Sequence, residues 1–261
     1  MKIAVVTGAG SGIGSAFAAA LSEPKYGLDE IWLIDLNDAG LRDTAESITI
    51  HARLFCMDIA INEEIESLET ELRKIRPNIK MLVNSAGFGL IGWFDKLDMQ
   101  RQLAMIDVNC KGLTAMTYIC IPYMERGGKI LHMSSGAALM PQPRFAVYAA
   151  SKSYVWSFSR AVARILKRKG ITMCAICAGP VSTNFYHTAL DKSQYEKETR
   201  GLRMQTPREV VDRALACAEK GKDTCYPSGF MRFAAVLTKI APLSWLLSLV
   251  MNASMKKYGT D

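Results

Sequence analysis

Tyr148 and Lys152 stand four residues apart in the stretch Val147–Lys169, which reads as a helix. On a helix such positions share a face, so a phenol and an ammonium at this spacing can point into one site. A free phenol has a pKa of ~10, too high for an efficient base near neutrality. A cation within ~4–6 Å favours the phenolate and brings that value down. The pair could then take a proton from an alcohol, or return one to a carbonyl oxygen. An isolated Tyr-x-x-x-Lys is ordinarily a solvated helix pair, so its meaning depends on what else the chain brings to it.

A second chemical feature lies at the N-terminus. Thr7-Gly8-Ala9-Gly10-Ser11-Gly12-Ile13-Gly14 follows an apolar run directly and opens an amphipathic one. A strand that turns sharply into a helix, close enough for a pyrophosphate to reach the backbone, favours residues without Cβ. Gly8, Ser11, Gly12, Ile13 and Gly14 are the candidate phosphate cradle. Asp35 ends the next apolar run, 21 residues after Gly14. A carboxylate there can accept hydrogen bonds from an adenosine ribose. It would also repel a 2′-phosphate, by about 4 kcal/mol for unit charges ~4 Å apart at an effective dielectric of ~20. Ser11, Leu36 and Asn37 are uncharged and bring no cation to relieve this, so NAD is expected over NADP.

These groups need a scaffold, and the hydrophobic pattern supplies one. Ile3–Thr7, Glu30–Asp35, Arg53–Met57, Met81–Asn84, Lys129–Ser134 and Ile171–Cys177 read as strands. Ile13–Leu21, Ala39–Ile48, Glu63–Ile75, Met99–Glu125 and Val147–Lys169 read as helices between them. Strict alternation predicts right-handed crossovers and a parallel sheet covered on both faces, a doubly wound Rossmann-type α/β fold. The whole of 1–261 is expected to form one domain, for no linker or repeat interrupts it. In such sheets ligands bind beyond the carboxyl ends of the strands, where each of these motifs falls.

Further motifs follow in order: Asn84-Ser85-Ala86-Gly87, Asn109, Ser134-Ser135, Tyr148-x-x-x-Lys152 and Ala178-Gly179-Pro180-Val181-Ser182-Thr183. Together with the glycine loop they resemble the short-chain dehydrogenase/reductase superfamily from residue 3 to about residue 185. The resemblance implies a catalytic set of Asn109, Ser135, Tyr148 and Lys152. Ser135 rather than Ser134 holds the family's place, 13 residues before the tyrosine. It implies that Ser135 holds the substrate oxygen and that Asn109 anchors a water joining Lys152 to solvent. Asp58 and the adjoining Ile59 match positions that meet the adenine. Asn84, Ala86 and Gly87 match the cofactor's ribose side, and Val181 and Thr183 match positions that hold the nicotinamide carboxamide. Ala178 stands where family members usually carry proline.

The rest of the chain bounds the substrate and the setting. Phe88, Leu90, Trp93, Met140 and Phe145 are expected to wall the pocket with apolar surface, under a lid at 184–204. The expected reaction is NAD(H)-dependent interconversion of a secondary alcohol and a ketone on a hydrophobic substrate, such as a steroid or acyl compound. A 3-oxoacyl-carrier-protein reductase is the alternative, disfavoured by Asp35 and slightly favoured by the net charge of +7. A non-catalytic NAD-binding sensor is disfavoured by the complete tetrad. No basic run is interleaved with aromatics, so nucleic acid is not expected. His51, His132 and His187 lack metal-ligand spacing, and no metal is expected.

The seven cysteines lie mostly in apolar runs, as reduced thiols of a cytoplasmic protein do. The first strand begins at Lys2, leaving no room for a signal peptide ahead of it. A homodimer or homotetramer is expected, because the two long helices carry more apolar residues than one core stripe needs, among them Ala104, Met116, Val155, Trp156 and Phe158. The apolar extension at 233–261 is broken by Lys239 and Pro242. That suits a packed or interfacial helix, with peripheral membrane contact near Lys256 and Lys257, better than a bilayer span.

Overall fold

The computed structural model describes residues 1–183, 185, 189, 203–240, 245, 248, 250–252 and 255. Its strands are β1 (Lys2–Thr7), β2 (Glu30–Asp35), β3 (His51–Cys56), β4 (Asn78–Asn84), β5 (Lys129–Met133), β6 (Thr172–Ile176) and β7 (Thr224–Cys225). They form one sheet of order β3-β2-β1-β4-β5-β6-β7, parallel throughout. Chain order reverses beside β1, which pairs with β2 on one side and β4 on the other. This is the doubly wound Rossmann-type arrangement, and its crevice opens at the carboxyl ends of β1 and β4.

The sheet is buried on both faces, so its strands read as continuous apolar runs. Along β1, Ala4 and Val6 join one core while Ile3 and Val5 join the other. The first core is closed by α1 (Gly12–Leu21) and α7 (Pro207–Glu219), through Phe17, Ala18, Val211 and Ala214. The second is closed by α3 (Asn62–Ile75), α5 (Leu113–Cys120) and α6 (Ala146–Leu166), through Leu68, Leu72, Met116 and Leu166. Helices α2 (Asp38–Glu46), α4 (Met99–Ile106) and α8 (Gly229–Ile240) complete the set named here.

One sequence expectation is corrected, and two elements go beyond the sequence reading. The helix read over Met99–Glu125 is not uniform: α4 gives way to a π-helical turn at Asp107–Gly112, then α5, then a 3-10 turn at Ile121–Tyr123. Pro122 cannot donate into the helix and its ring crowds the preceding turn, which stops the run there. Helix α7 and strand β7 were not foreseen, although Thr206-Pro207-Arg208-Glu209 is a legible start signal. Thr206 and Glu209 form a reciprocal capping box with Pro207 at the first turn. Strand β7 is two residues long and held by register with Ala175 and Ile176, below what sequence pattern can resolve. The expected lid at 184–204 lies outside the described residues except for Phe185, Ala189, Arg203 and Met204, as do Pro242, Lys256 and Lys257 of the C-terminal extension.

Candidate active site

At the end of β1 the chain turns through Gly8, whose φ of +67° is costly for any residue with a Cβ. A Cβ there would also lie 2.7 Å from the backbone nitrogen of Ala86. At Gly14 a Cβ would sit 1.9 Å from the carbonyl oxygen of Gly8, so α1 approaches the turn only without a side chain. Thr7 Oγ1 accepts from the N–H groups of Ser85 and Ala86, each at 3.2 Å, and ties the turn to the end of β4. Ser11 caps α1 in extended backbone, and the first turn carries no acidic residue. The N–H groups and positive end of that helix are suited to hold an anion. Asp35 is held at the rim: Oδ2 accepts from Gly10 N–H at 2.9 Å and Oδ1 from Asn37 N–H at 2.9 Å.

These groups open onto a cavity of about 680 Å³. Gly8, Ser11, Gly12, Ile13, Asp35, Asp58, Ile59, Ala86, Gly87, Ser135, Tyr148, Val181 and Thr183 all line it. Gly14, Asn84, Asn109 and Lys152 stand behind the wall. Asn84 is 2 % exposed and points toward α5, where its Nδ2 donates to Thr117 Oγ1 at 3.1 Å. Leu90 likewise leaves the wall for a core cluster with Met105 and Ala149, and Trp93 lies off the cavity. A stretch of wall follows local backbone turns, and alternate side chains point away from it.

Tyr148 lies between the rings of Phe145 and Phe185, with centroids 5.4 Å away on each side. Lys152 Nζ is 5.7 Å from the centre of the tyrosine ring and donates to Met133 O at 2.9 Å. Burial lowers the Lys152 amine from its ordinary 10.5 to about 8, with a small opposing influence from Cys110. Gly87 separates this layer from the cavity: a Cβ there would meet Asn109 Oδ1 at 2.6 Å and Lys152 Nζ at 3.3 Å.

Asn109, in the π-helical turn, accepts from Phe88 N–H at 3.1 Å, and its Nδ2 lies 3.0 Å from both Phe88 O and Ser151 Oγ. Ser151 Oγ in turn donates to Tyr148 O at 2.8 Å. Asn109 thus clamps the loop after β4 to the tyrosine's own turn. Ser135 Oγ accepts from Ala137 N–H at 3.1 Å, and a hydroxyl that accepts there keeps its proton to donate. Ser134 instead donates to Lys152 O at 2.9 Å.

His132 is fully buried between Thr117 Oγ1 at 3.0 Å and Ser159 Oγ at 2.8 Å. Burial, and secondarily Lys152, lowers its pKa to about 3, which keeps it neutral. Phe185 falls within the expected lid and lines the cavity, whereas sequence reasoning missed Thr7 and the roof formed by Phe230, Met231, Ala234 and Thr238 of α8. Thr7 was quoted only as part of the glycine run. Helix α8 comes from elsewhere in the chain, and no local spacing signals its approach.

No metal cluster of three or more His, Cys, Asp or Glu occurs among the described residues. A dinucleotide fits the site, since Gly8, Ser11, Gly12 and Ile13 line the cavity and the N-terminus of α1 faces it. Fold and site together define a Rossmann-type oxidoreductase. A family model described as short chain dehydrogenase matches residues 2–194, and the chain belongs to that family. It is 30% identical to a very-long-chain 3-oxoacyl-CoA reductase of Anas platyrhynchos, over 96% of this chain and 79% of that protein. It is 29% identical to the 17-beta-hydroxysteroid dehydrogenase type 3 of Mus musculus, over 98% of this chain and 82% of that one. In structure it resembles a short-chain dehydrogenase from Sphingobium yanoikuyae in complex with NADPH. The TM-score is 0.76 at 21% identity, over 95% of this chain and 96% of the other.

Proposed function

We propose that this protein is an NAD(H)-dependent oxidoreductase that interconverts a secondary alcohol and a ketone on a hydrophobic substrate. The observation that carries the reading is Tyr148 at the cavity wall with the Lys152 amine buried behind it. The Gly8–Gly14 turn would hold the pyrophosphate and Asp35 the adenosine ribose. Asp58 and Ile59 would meet the adenine, Ala86 and Gly87 the ribose side, and Val181 and Thr183 the carboxamide. NAD(H), when bound, supplies or takes up the hydride.

Tyr148 exchanges a proton with the substrate oxygen, and Ser135 donates a hydrogen bond that fixes the same oxygen. Lys152, in its charged form, favours the phenolate through the tyrosine ring beside it. Asn109 acts as a positioning residue, holding Phe88 and, through Ser151, the turn that carries Tyr148. Asp35 supports NAD over NADP, since no lysine or arginine pairs with it among the described residues.

The wall includes Phe88, Leu139, Met140, Phe145, Phe185 and Met231, an apolar surface suited to a bulky substrate. The two relatives named above carry hydroxysteroid and very-long-chain 3-oxoacyl-CoA in their names, in keeping with that surface. Thiols buried in the fold at Cys120, Cys174, Cys177 and Cys225 suit a reducing, cytoplasmic setting.

The protein is further proposed to form a homodimer or homotetramer. Met116 and Val155, expected on that interface, are fully buried in the core. Ala104 is exposed, and so are the larger apolar side chains of Met99, Leu103 and Ile106 on α4, Tyr118 on α5, and Tyr154 and Ile165 on α6. A screen of hydroxysteroids, acyl ketones and simple secondary alcohols, read by NADH absorbance, tests the reaction. NAD-linked turnover of a bulky alcohol or ketone is expected, and absence of NAD-linked turnover across the screen refutes it.

A further inference from the structure

Helix α8 presents three different surfaces. Met231 and Ala235 are buried, at 7% and 4% exposure. Ala234 and Thr238, with Phe230 at the rim, line the catalytic cavity. Phe233, Val236 and Ile240 lie on the outward side, exposed by 64%, 55% and 78%. At roughly 100° per residue these three fall along one edge of the helix. Phe230, itself 70% exposed, joins that apolar edge to the cavity mouth.

Beside this edge lies a second, smaller cavity of about 190 Å³. Arg213 reaches it from α7, Lys220 and Lys222 from the turn that follows, and Arg232 from α8. No Asp or Glu lines it. Among the described residues none of these four cations makes an ion pair with a carboxylate. A helix that is apolar outward and flanked by unpaired cations has the composition of an interfacial helix on anionic lipid. A second copy of the chain is a poorer occupant. In a two-fold contact the patch meets itself, which brings two unpaired basic clusters to one interface.

We propose that α8 and the adjoining basic cluster seat this protein on an anionic phospholipid surface, with the mouth of the catalytic cavity at the lipid. Contact is peripheral; among the described residues no helix is long and apolar enough to cross a membrane. Passage of an apolar substrate from lipid to cavity rests on the functional reading above, whereas the docking does not.

The test is flotation of the full-length protein, without substrate, with two kinds of vesicle. One kind is phosphatidylcholine alone, and the other is phosphatidylcholine mixed with phosphatidylserine. Binding to the mixed vesicles is expected to exceed the other by about tenfold or more and to fall as salt is raised. Phe233→Ser with Ile240→Ser, and separately Lys220→Glu with Arg232→Glu, should each weaken it by about tenfold or more. Both pairs lie outside the catalytic cavity, so NADH binding and thermal unfolding should match the unmodified protein. Equal or absent flotation with the two vesicles overturns the proposal, as does either variant floating like the parent. A fall in solution mass on Phe233→Ser with Ile240→Ser, in a protein that never floats, assigns the edge to a second copy instead. Turnover of a water-soluble ketone is measured in parallel, so failure of docking is separable from failure of the enzymatic reading.

Discussion

Replacing Lys152 by methionine should stabilise the folded chain near neutral pH while stopping turnover. The amine is 6% exposed, and burial lowers its pKa from 10.5 to about 8. That difference corresponds to about 3 kcal/mol of preference for the neutral amine in the folded state. Because the folded value lies below the unfolded one, the unfolded chain binds the proton more readily. The cost to the fold is therefore fully present below the folded pKa and is relieved as pH rises from about 8 toward 10.5. Methionine keeps the stem's volume, has no charge to desolvate, and leaves Met133 O without its 2.9 Å donor. Losing that bond costs about 1 kcal/mol, so a net gain of about 2 kcal/mol is expected at about pH 7. Urea unfolding of both proteins at about pH 7 and about pH 10 reads the effect, with the variant's advantage shrinking or reversing at the higher pH. A variant less stable than the parent by the same margin at both values would refute the reasoning.

Tyr148→Phe should abolish turnover while leaving NADH binding intact, because only the phenol oxygen is removed; a residual rate above about a tenth of the parent's rules out Tyr148 as the proton donor. NAD should be preferred over NADP, and Asp35→Ala should narrow the gap by roughly tenfold or more, given that Asp35 is held at the rim by two backbone N–H groups. Equal kcat/KM for both cofactors in the unmodified enzyme would remove that argument. Leu103→Glu with Ile106→Glu should lower the solution mass in light scattering, since both side chains are exposed on α4; a monomeric mass already present in the parent at micromolar concentration contradicts the assembly.

What the chain declares by itself is whatever depends on near neighbours in sequence. The turn from β1 into α1 is legible because Gly8 and Gly14 answer a local steric demand. Asp35 is legible because it ends a strand, and Tyr148 with Lys152 because a helical repeat places them on one face. The alternation of strand and helix is equally local, and it carried the doubly wound sheet with it. Tertiary structure decided which of these groups touch the cavity and which stand behind it. Lys152 and Asn109 lie in a layer behind Gly87, an arrangement set by the approach of three separate elements. Asn84 turns to Thr117 because the buried amide needs a partner there, which no spacing along β4 could announce. Phe185 beside Tyr148, and α8 over the cavity, arrive from distant parts of the chain. Their placement is fixed by packing against surfaces that exist only once the sheet has formed.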